Sequence, residues 1–221
     1  MDNKIEPMAM YVMFDLKLCD KNIFYWENVI SYPEILVNFI EEMDLDERSH
    51  NLVAKWEPWY ASTDMQTVYG KRKHIITKDR KNDSSDDAIN KKCLYIVNSL
   101  MMAPEMCAIN FSKMLKLNPD DINLDLTHIS LSKYENGMGM GPHCDAADPN
   151  GTGTNLKYSL VTYLNDDYEG GELYFKEQDI TIKPKAGSLV LFPSTEPYYH
   201  ESKPLKSGTK YMYTSHWLVN K

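Results

Sequence analysis

The sequence predicts an α+β protein in which helices of the N-terminal half pack on a β core built from the C-terminal half. Three observations predict it. Segments 126–134, 156–165, 171–176, 179–183, 187–193, 197–203 and 209–218 carry strand-type composition. Turn signals separate them: Asn136-Gly137, Pro149-Asn150-Gly151, Gly170-Gly171, Lys185-Ala186-Gly187 and Ser207-Gly208. Short strands at this spacing belong to sandwiches and barrels. Ahead of them, apolar residues recur at helical spacing. No internal repeat or low-complexity stretch divides the 221 residues, so they read as a single domain, with 1–125 as support and 126–221 as core.

Taken in order, Met10–Phe14 and Ile23–Trp26 are short stretches rich in β-formers and read as strands. Ser31 caps a helix with Pro33 in its first turn, and Ile35, Leu36, Phe39 and Ile40 form its apolar stripe. Residues 44–82 have weak periodicity; Trp56, Trp59, Tyr60 and Tyr69 lie among polar residues, which predicts an ordered loop region with a short strand. A second helix starts near Ser85, with Asp86 and Asp87 suited to the positive end of its dipole and Leu94, Ile96, Val97 and Leu100 as its stripe. Pro104 ends or kinks it, and a further helical segment covers about 105–115.

Composition excludes several classes. At 43% hydrophobic and 25% charged, the chain is globular rather than disordered. No apolar run reaches the ~20 residues of a membrane span, and the charged start, Met1 to Pro7, has no signal-peptide core. The expectation is a soluble protein of the cytoplasm, or of a host cytoplasm if viral. With 24 Lys+Arg against 32 Asp+Glu, the net charge is −8, the wrong sign for gripping nucleic acid. The basic run Lys71-Arg72-Lys73-His74 is followed by acidic residues and reads as a solvated mixed-charge loop. Cys19, Cys93, Cys107 and Cys144 have no CxxC spacing, which predicts buried free thiols rather than a disulfide framework or zinc ribbon.

The chemistry lies in the β half. His143-Cys144-Asp145 follows a glycine-rich turn, His200 lies on a separate predicted strand, and Lys210 follows ten residues later. Two imidazoles and one carboxylate are the facial triad of non-haem Fe(II) oxygenases, which leaves coordination positions open. At i, i+2 in a strand, His143 and Asp145 project to one side, and Cys144 between them points away into packing. Ser159, Val161 and Tyr163 share one strand face; His128, Ser130, Ser132 and Tyr134 share another, and both suit a pocket wall. His128 and His216 read as structural, and His50 and His74 as surface residues. Trp56, Trp59 and Tyr60 read as packing of the N-terminal half.

These motifs, in this order, resemble the Fe(II)/2-oxoglutarate-dependent dioxygenases, specifically those of the prolyl 4-hydroxylase type in its small bacterial and viral forms. Tyr134-Glu135-Asn136-Gly137, His143-Cys144-Asp145, Tyr163-Leu164-Asn165, Gly170-Gly171-Glu172-Leu173, and His200 with Pro204, Gly208, Lys210 and Trp217 carry the resemblance over about 126–219. It implies a double-stranded β-helix, or jelly-roll, core with the N-terminal helices packed on it. It implies that His143, Asp145 and His200 bind Fe(II), and that Lys210 pairs with the distal carboxylate of 2-oxoglutarate. Tyr134 and Tyr163 then line the co-substrate pocket, with Thr214, four residues past Lys210, facing the same side. The implied co-substrates are 2-oxoglutarate and dioxygen, with ascorbate as an accessory reductant. The implied reaction is hydroxylation of prolyl residues in a peptide or protein, coupled to conversion of 2-oxoglutarate to succinate. Lys210 to Trp217 is seven residues where relatives commonly have six, which turns Trp217 to the opposite face unless a bulge intervenes.

Other readings stay open at this point. The same chemistry can act on a free amino acid, another side chain or a nucleobase. A cupin-like module can hold metal without turnover, and a jelly roll can be purely structural. Lys210 argues against the bare metal module, which needs no carboxylate anchor. The loop 148–153 and the aromatic-rich 56–70 region are the candidates for gripping substrate. Oligomeric state is not legible.

Overall fold

A computed structural model describes residues 16–20, 22–45, 55–60, 68–76, 91–92, 95–96, 98–102, 107, 118, 122–124, 128–146 and 156–219. The expected strand at 10–14, the start of the second helix, most of 105–115 and the loop 148–153 lie outside them.

The described residues form a major sheet of nine strands. Its order is β1 (Leu16–Asp20), β2 (Ile23–Trp26), β12 (Leu189–Pro193), β8 (Leu156–Tyr163), β15 (Lys210–Val219), β6 (His128–Tyr134), β4 (Val68–Ile76) and β3 (Glu57–Tyr60), with β5 (Ile122–Leu124) also paired to β15. A minor sheet runs β11 (Ile180–Ile182), β10 (Leu173–Phe175), β13 (His200–Ser202), β7 (Met140–His143). A short ribbon pairs β14 (Leu205–Ser207) with β9 (Glu169–Gly170). The fold is the double-stranded β-helix, with helices on one face of the major sheet.

Strand alternation splits the core in two. On the helix side, Leu131, Leu160, Leu189, Leu191, Tyr213 and Trp217 pack against Leu36, Ile40 and Met43 of α1 (Pro33–Leu45) and against Ile96 and Leu100. Between the sheets, Tyr134, Val161, Tyr163, Leu173, Phe175, Phe192 and Met212 form a second cluster. Burying one face of each strand is what makes the major sheet worth its ordering entropy. The stripe of α1 is Leu36, Ile40 and Met43 rather than the one expected to include Ile35, which is exposed. Residues 91–92, 95–96 and 98–102 are helical, and the Tyr213 hydroxyl donates to the Leu100 carbonyl, docking that segment on the sheet.

The segment expected to be mostly loop over 44–82 instead contributes β3 and the nine-residue β4, which pairs antiparallel with β6. The basic run is not a solvated loop. Lys71 pairs with Glu135 at 2.8 Å. Lys73 points to the helix side, is buried, and donates to the Ile40 carbonyl at 3.3 Å. Arg72, between them, faces the space between the sheets. Each charge has a tertiary destination, so the run reads as polar while the backbone forms a strand.

Close backbone approaches hold the minor sheet in place. Gly170 has φ 77°, and a Cβ there would lie 2.5 Å from the Pro204 carbonyl oxygen. A Cβ on Gly139 would lie 2.7 Å from the Ser202 carbonyl oxygen. No helix among the described residues is long and apolar enough to cross a membrane.

Candidate active site

One cavity of about 290 Å³ opens between the sheets, and Tyr134, His143, Asp145, Tyr163, His200, Lys210 and Thr214 all line it. The minor sheet delivers the two imidazoles. His143 ends β7 and His200 begins β13, and the two are direct cross-strand partners. Their ring centroids lie 4.3 Å apart. Asp145 is not in a strand: β7 stops at His143 and a turn carries the carboxylate back. The Ala146 amide anchors that turn by donating to the Ser194 carbonyl at 2.9 Å. Turn geometry therefore does what the strand-parity argument assigned to an i, i+2 spacing. Cys144 is buried, as expected for the intervening position.

Backbone carbonyls orient both rings. Nδ1 of His143 lies 2.8 Å from the Gly141 carbonyl, and Nδ1 of His200 lies 3.2 Å from the Tyr198 carbonyl. With Nδ1–H donating outward, each Nε2 presents its lone pair to the cavity. Oδ1 of Asp145 lies 3.4 Å from Nε2 of His143 and 3.8 Å from Nε2 of His200. The three donor groups converge within 4.8 Å of one another. Burial beside Phe175 and Phe192 pushes the His200 pKa down to about 4, so the ring stays neutral and able to ligate. Burial disfavours the Asp145 carboxylate, but its interactions with His143, His216 and His200 prevail and hold the carboxyl well below its ordinary range. Oδ2 of Asp145 is buried with no hydrogen-bond partner among the described residues. Burial disfavours the charged form of His143, but its interactions with Asp145 and the Gly141 carbonyl prevail and raise its pKa. Two imidazole nitrogens and one carboxylate with a buried free oxygen fit a divalent cation of intermediate softness.

Lys210 opens β15 and is fully buried. Nζ donates to the Gly171 carbonyl at 2.7 Å and to Ser202 Oγ at 2.8 Å. The rings of Tyr134 and Tyr163 stand 5.2 and 5.3 Å from it. Burial pushes its pKa down to about 7, with Glu172 opposing. A cation desolvated this far has an unmet demand for an anion.

The alternation of β15 sorts its other residues. Thr214 joins Lys210 and Met212 on the cavity side. Trp217 lies in the helix-side core, fully buried and edge-on to Tyr158. His216, expected to be structural, instead lines the cavity, with Nε2 3.8 Å from Oδ2 of Asp145. Trp59 and Arg72 also line it, where packing and a loop were expected. Parity marks His216, an even six residues from Lys210; Trp59 and Arg72 meet only once β3 pairs with β4.

Residues 129–218 match the model of the 2OG-Fe(II) oxygenase superfamily. That match takes in His143, Asp145, His200 and Lys210. Among curated relatives, the chain is 27% identical over 152 residues to a PKHD-type hydroxylase of Crocosphaera subtropica, a match covering 66% of this chain and 63% of that protein. The match thus spans under two thirds of that relative's length. The viral collagen prolyl hydroxylase of Paramecium bursaria Chlorella virus-1, in its 2OG complex, superposes with a TM-score of 0.53 at 17% identity, covering 93% of this protein and 100% of that chain. A prolyl hydroxylase of Trichoplax adhaerens, in complex with a hypoxia inducible factor peptide fragment, superposes with a TM-score of 0.57 at 15% identity, covering 90% and 84%.

Proposed function

We propose that the protein is an Fe(II)- and 2-oxoglutarate-dependent hydroxylase of prolyl residues in a peptide or protein. The carrying observation is that the His143–Asp145–His200 convergence and the buried ammonium of Lys210 share one cavity. The PKHD-type relatives and the peptide held by the Trichoplax enzyme support a prolyl peptide as substrate. Interleaving of β1 and β2 with β12, and of β4 with β6, supports reading 1–221 as one oxygenase unit. The free, buried thiols of Cys107 and Cys144 support a reducing, cytoplasmic setting.

His143, Asp145 and His200 would hold the metal. Iron bound there would supply dioxygen activation coupled to oxidative decarboxylation of 2-oxoglutarate. The chain supplies placement. The Gly141 and Tyr198 carbonyls fix the tautomer and aim of each imidazole, and Asp145 brings the negative charge that favours a cation. Lys210, locked between the Gly171 carbonyl and Ser202, meets the distal carboxylate of the co-substrate where little water screens the pair. Tyr134 and Tyr163 wall that end, and burial raises both phenols so that they stay neutral donors. A metal module without turnover has no use for such a lysine.

The test is an anaerobic titration with Fe(II) and 2-oxoglutarate, following the visible charge-transfer band of the chelate. The band should form in the wild type, vanish in His143→Ala, and require more 2-oxoglutarate in Lys210→Ala. No band in the wild type would sink the reading.

A further inference from the structure

The cavity holds a second cation to which the metal and co-substrate readings assign no part. Arg72 projects from β4 into the space between the sheets, and its Cζ lies 3.1 Å from the centroid of the Trp59 ring. Trp59 faces it from β3, so the guanidinium is braced over an indole before any ligand arrives. Its Nε is buried with no hydrogen-bond partner among the described residues. On the neighbouring strand, Ser130 Oγ lines the same cavity and is likewise buried without one. An orphaned donor and an orphaned hydroxyl on one wall describe a site that a ligand completes.

Position separates this pair from the co-substrate anchor. Met212 of β15 pairs with Ser132 of β6, and Ser132 pairs with Arg72 of β4. At 4.7–4.9 Å per strand, the Arg72 backbone stands roughly 10 Å from that of β15, which carries Lys210. Lys210 is assigned to the far carboxylate of the co-substrate, whereas Trp59, on β3 and so on the side of β4 away from β15, holds the Arg72 guanidinium in the other direction. The planar fork of Arg72 suits a carboxylate. A nucleic-acid phosphate is disfavoured by the net charge of −8.

We infer that Arg72, braced on Trp59, binds a carboxylate of the primary substrate. The inference rests on the hydroxylase reading above and names the substrate's chemistry. That carboxylate comes either from an acidic side chain beside the target proline or from the α-carboxylate of a free amino acid.

The test uses the Fe(II)- and 2-oxoglutarate-loaded protein with four probes: a capped neutral proline peptide, the same peptide with aspartate beside the proline, an aspartate peptide without proline, and free L-proline. Anaerobic calorimetry reads binding, and succinate release in air reads turnover. Wild type should bind the acidic proline peptide or L-proline about tenfold more tightly than the neutral peptide, as a charge-assisted pair predicts. Arg72→Gln should lose that preference and keep wild-type affinity for 2-oxoglutarate. Arg72→Lys should retain part of it, which guards against a misfolded variant. Preference for the side-chain acid or for L-proline identifies the source of the carboxylate. Equal binding of charged and neutral probes in wild type, or a preference intact in Arg72→Gln, overturns the inference. So does weakened 2-oxoglutarate binding in Arg72→Gln, which would reassign Arg72 to the co-substrate. If the proline-free acidic peptide binds as well as the acidic proline peptide and no proline probe turns over, the prolyl reading fails while the anchor stands. Binding of no probe overturns both.

Discussion

Oδ2 of Asp145 faces Nε2 of His216 across 3.8 Å, while Oδ1 of the same carboxylate faces the cavity imidazoles of His143 and His200. The two oxygens therefore have different company. His216 and Ser159 are cross-strand partners on β15 and β8, so the rigid centre of the major sheet backs the carboxylate. Partners of this kind typically change metal affinity by about 10- to 100-fold. His216→Ala should weaken binding of Mn(II), read by calorimetry in the absence of any reaction, by roughly tenfold or more. His216→Gln, which keeps an N–H donor, should recover part of it. Wild-type affinity in His216→Ala would make this histidine a bystander.

The role proposed for Lys210 should make co-substrate binding depend on protons. Burial drops its pKa from 10.5 to about 7, so at pH 8 the empty pocket holds mostly the neutral amine. A carboxylate arriving there favours the ammonium, and binding takes up a proton. At pH 6 the lysine is already charged and the uptake should disappear. Calorimetry of 2-oxoglutarate binding in buffers of differing ionisation enthalpy checks this. Lys210→Arg should show no uptake at either pH. The same shift acts on stability: between pH 7 and 10.5 the unfolded chain binds more protons at this residue, so its destabilising effect is full at low pH and fades as pH rises.

Gly170→Ala should be costly. Its φ of 77° disfavours any side chain by about 1–2 kcal/mol. The added Cβ would also meet the Pro204 carbonyl at 2.5 Å. Gly171, next in sequence, supplies the carbonyl that holds Lys210. Thermal unfolding should therefore shift down and 2-oxoglutarate affinity should fall, with Mn(II) affinity unchanged.

Trp217 belongs to the helix-side core, and its removal should be read in stability. Trp217→Ala should cost about 3–5 kcal/mol, as for large buried aromatics. Trp217→Phe should cost less and leave the Fe(II) and 2-oxoglutarate titration as in wild type. A weakened charge-transfer band in a folded Trp217→Phe would place the indole at the site after all.

What the sequence made legible follows from local rules. The strands carrying Val161, Tyr163, Leu189, Leu191 and Met212 announce themselves because one or both faces are buried, and alternation or apolar runs result. The convergence of His143, Asp145, His200 and Lys210 was readable as an ordered motif. β4 was not, because Lys71 and Lys73 look solvated until Glu135 and the Ile40 carbonyl are brought beside them by tertiary structure. β7 hides behind Gly141 and Pro142, which mimic a turn. The Trp59–Arg72 stack is a cross-strand fact that no single segment contains. His216 was within reach: counting parity from Lys210 turns it toward the cavity and Trp217 away.

The direct pairing of His143 with His200 has a mechanical consequence. Among the described residues β7 is the outermost strand of the minor sheet, held laterally by β13 alone. An ion gripped by residues of both strands acts as a rivet through a border that would otherwise fray. Amide exchange along Met140–His143 would then report the loading of the centre, fast when a chelator strips it and slow when it is filled. An ion held there would also fasten the seam it sits in.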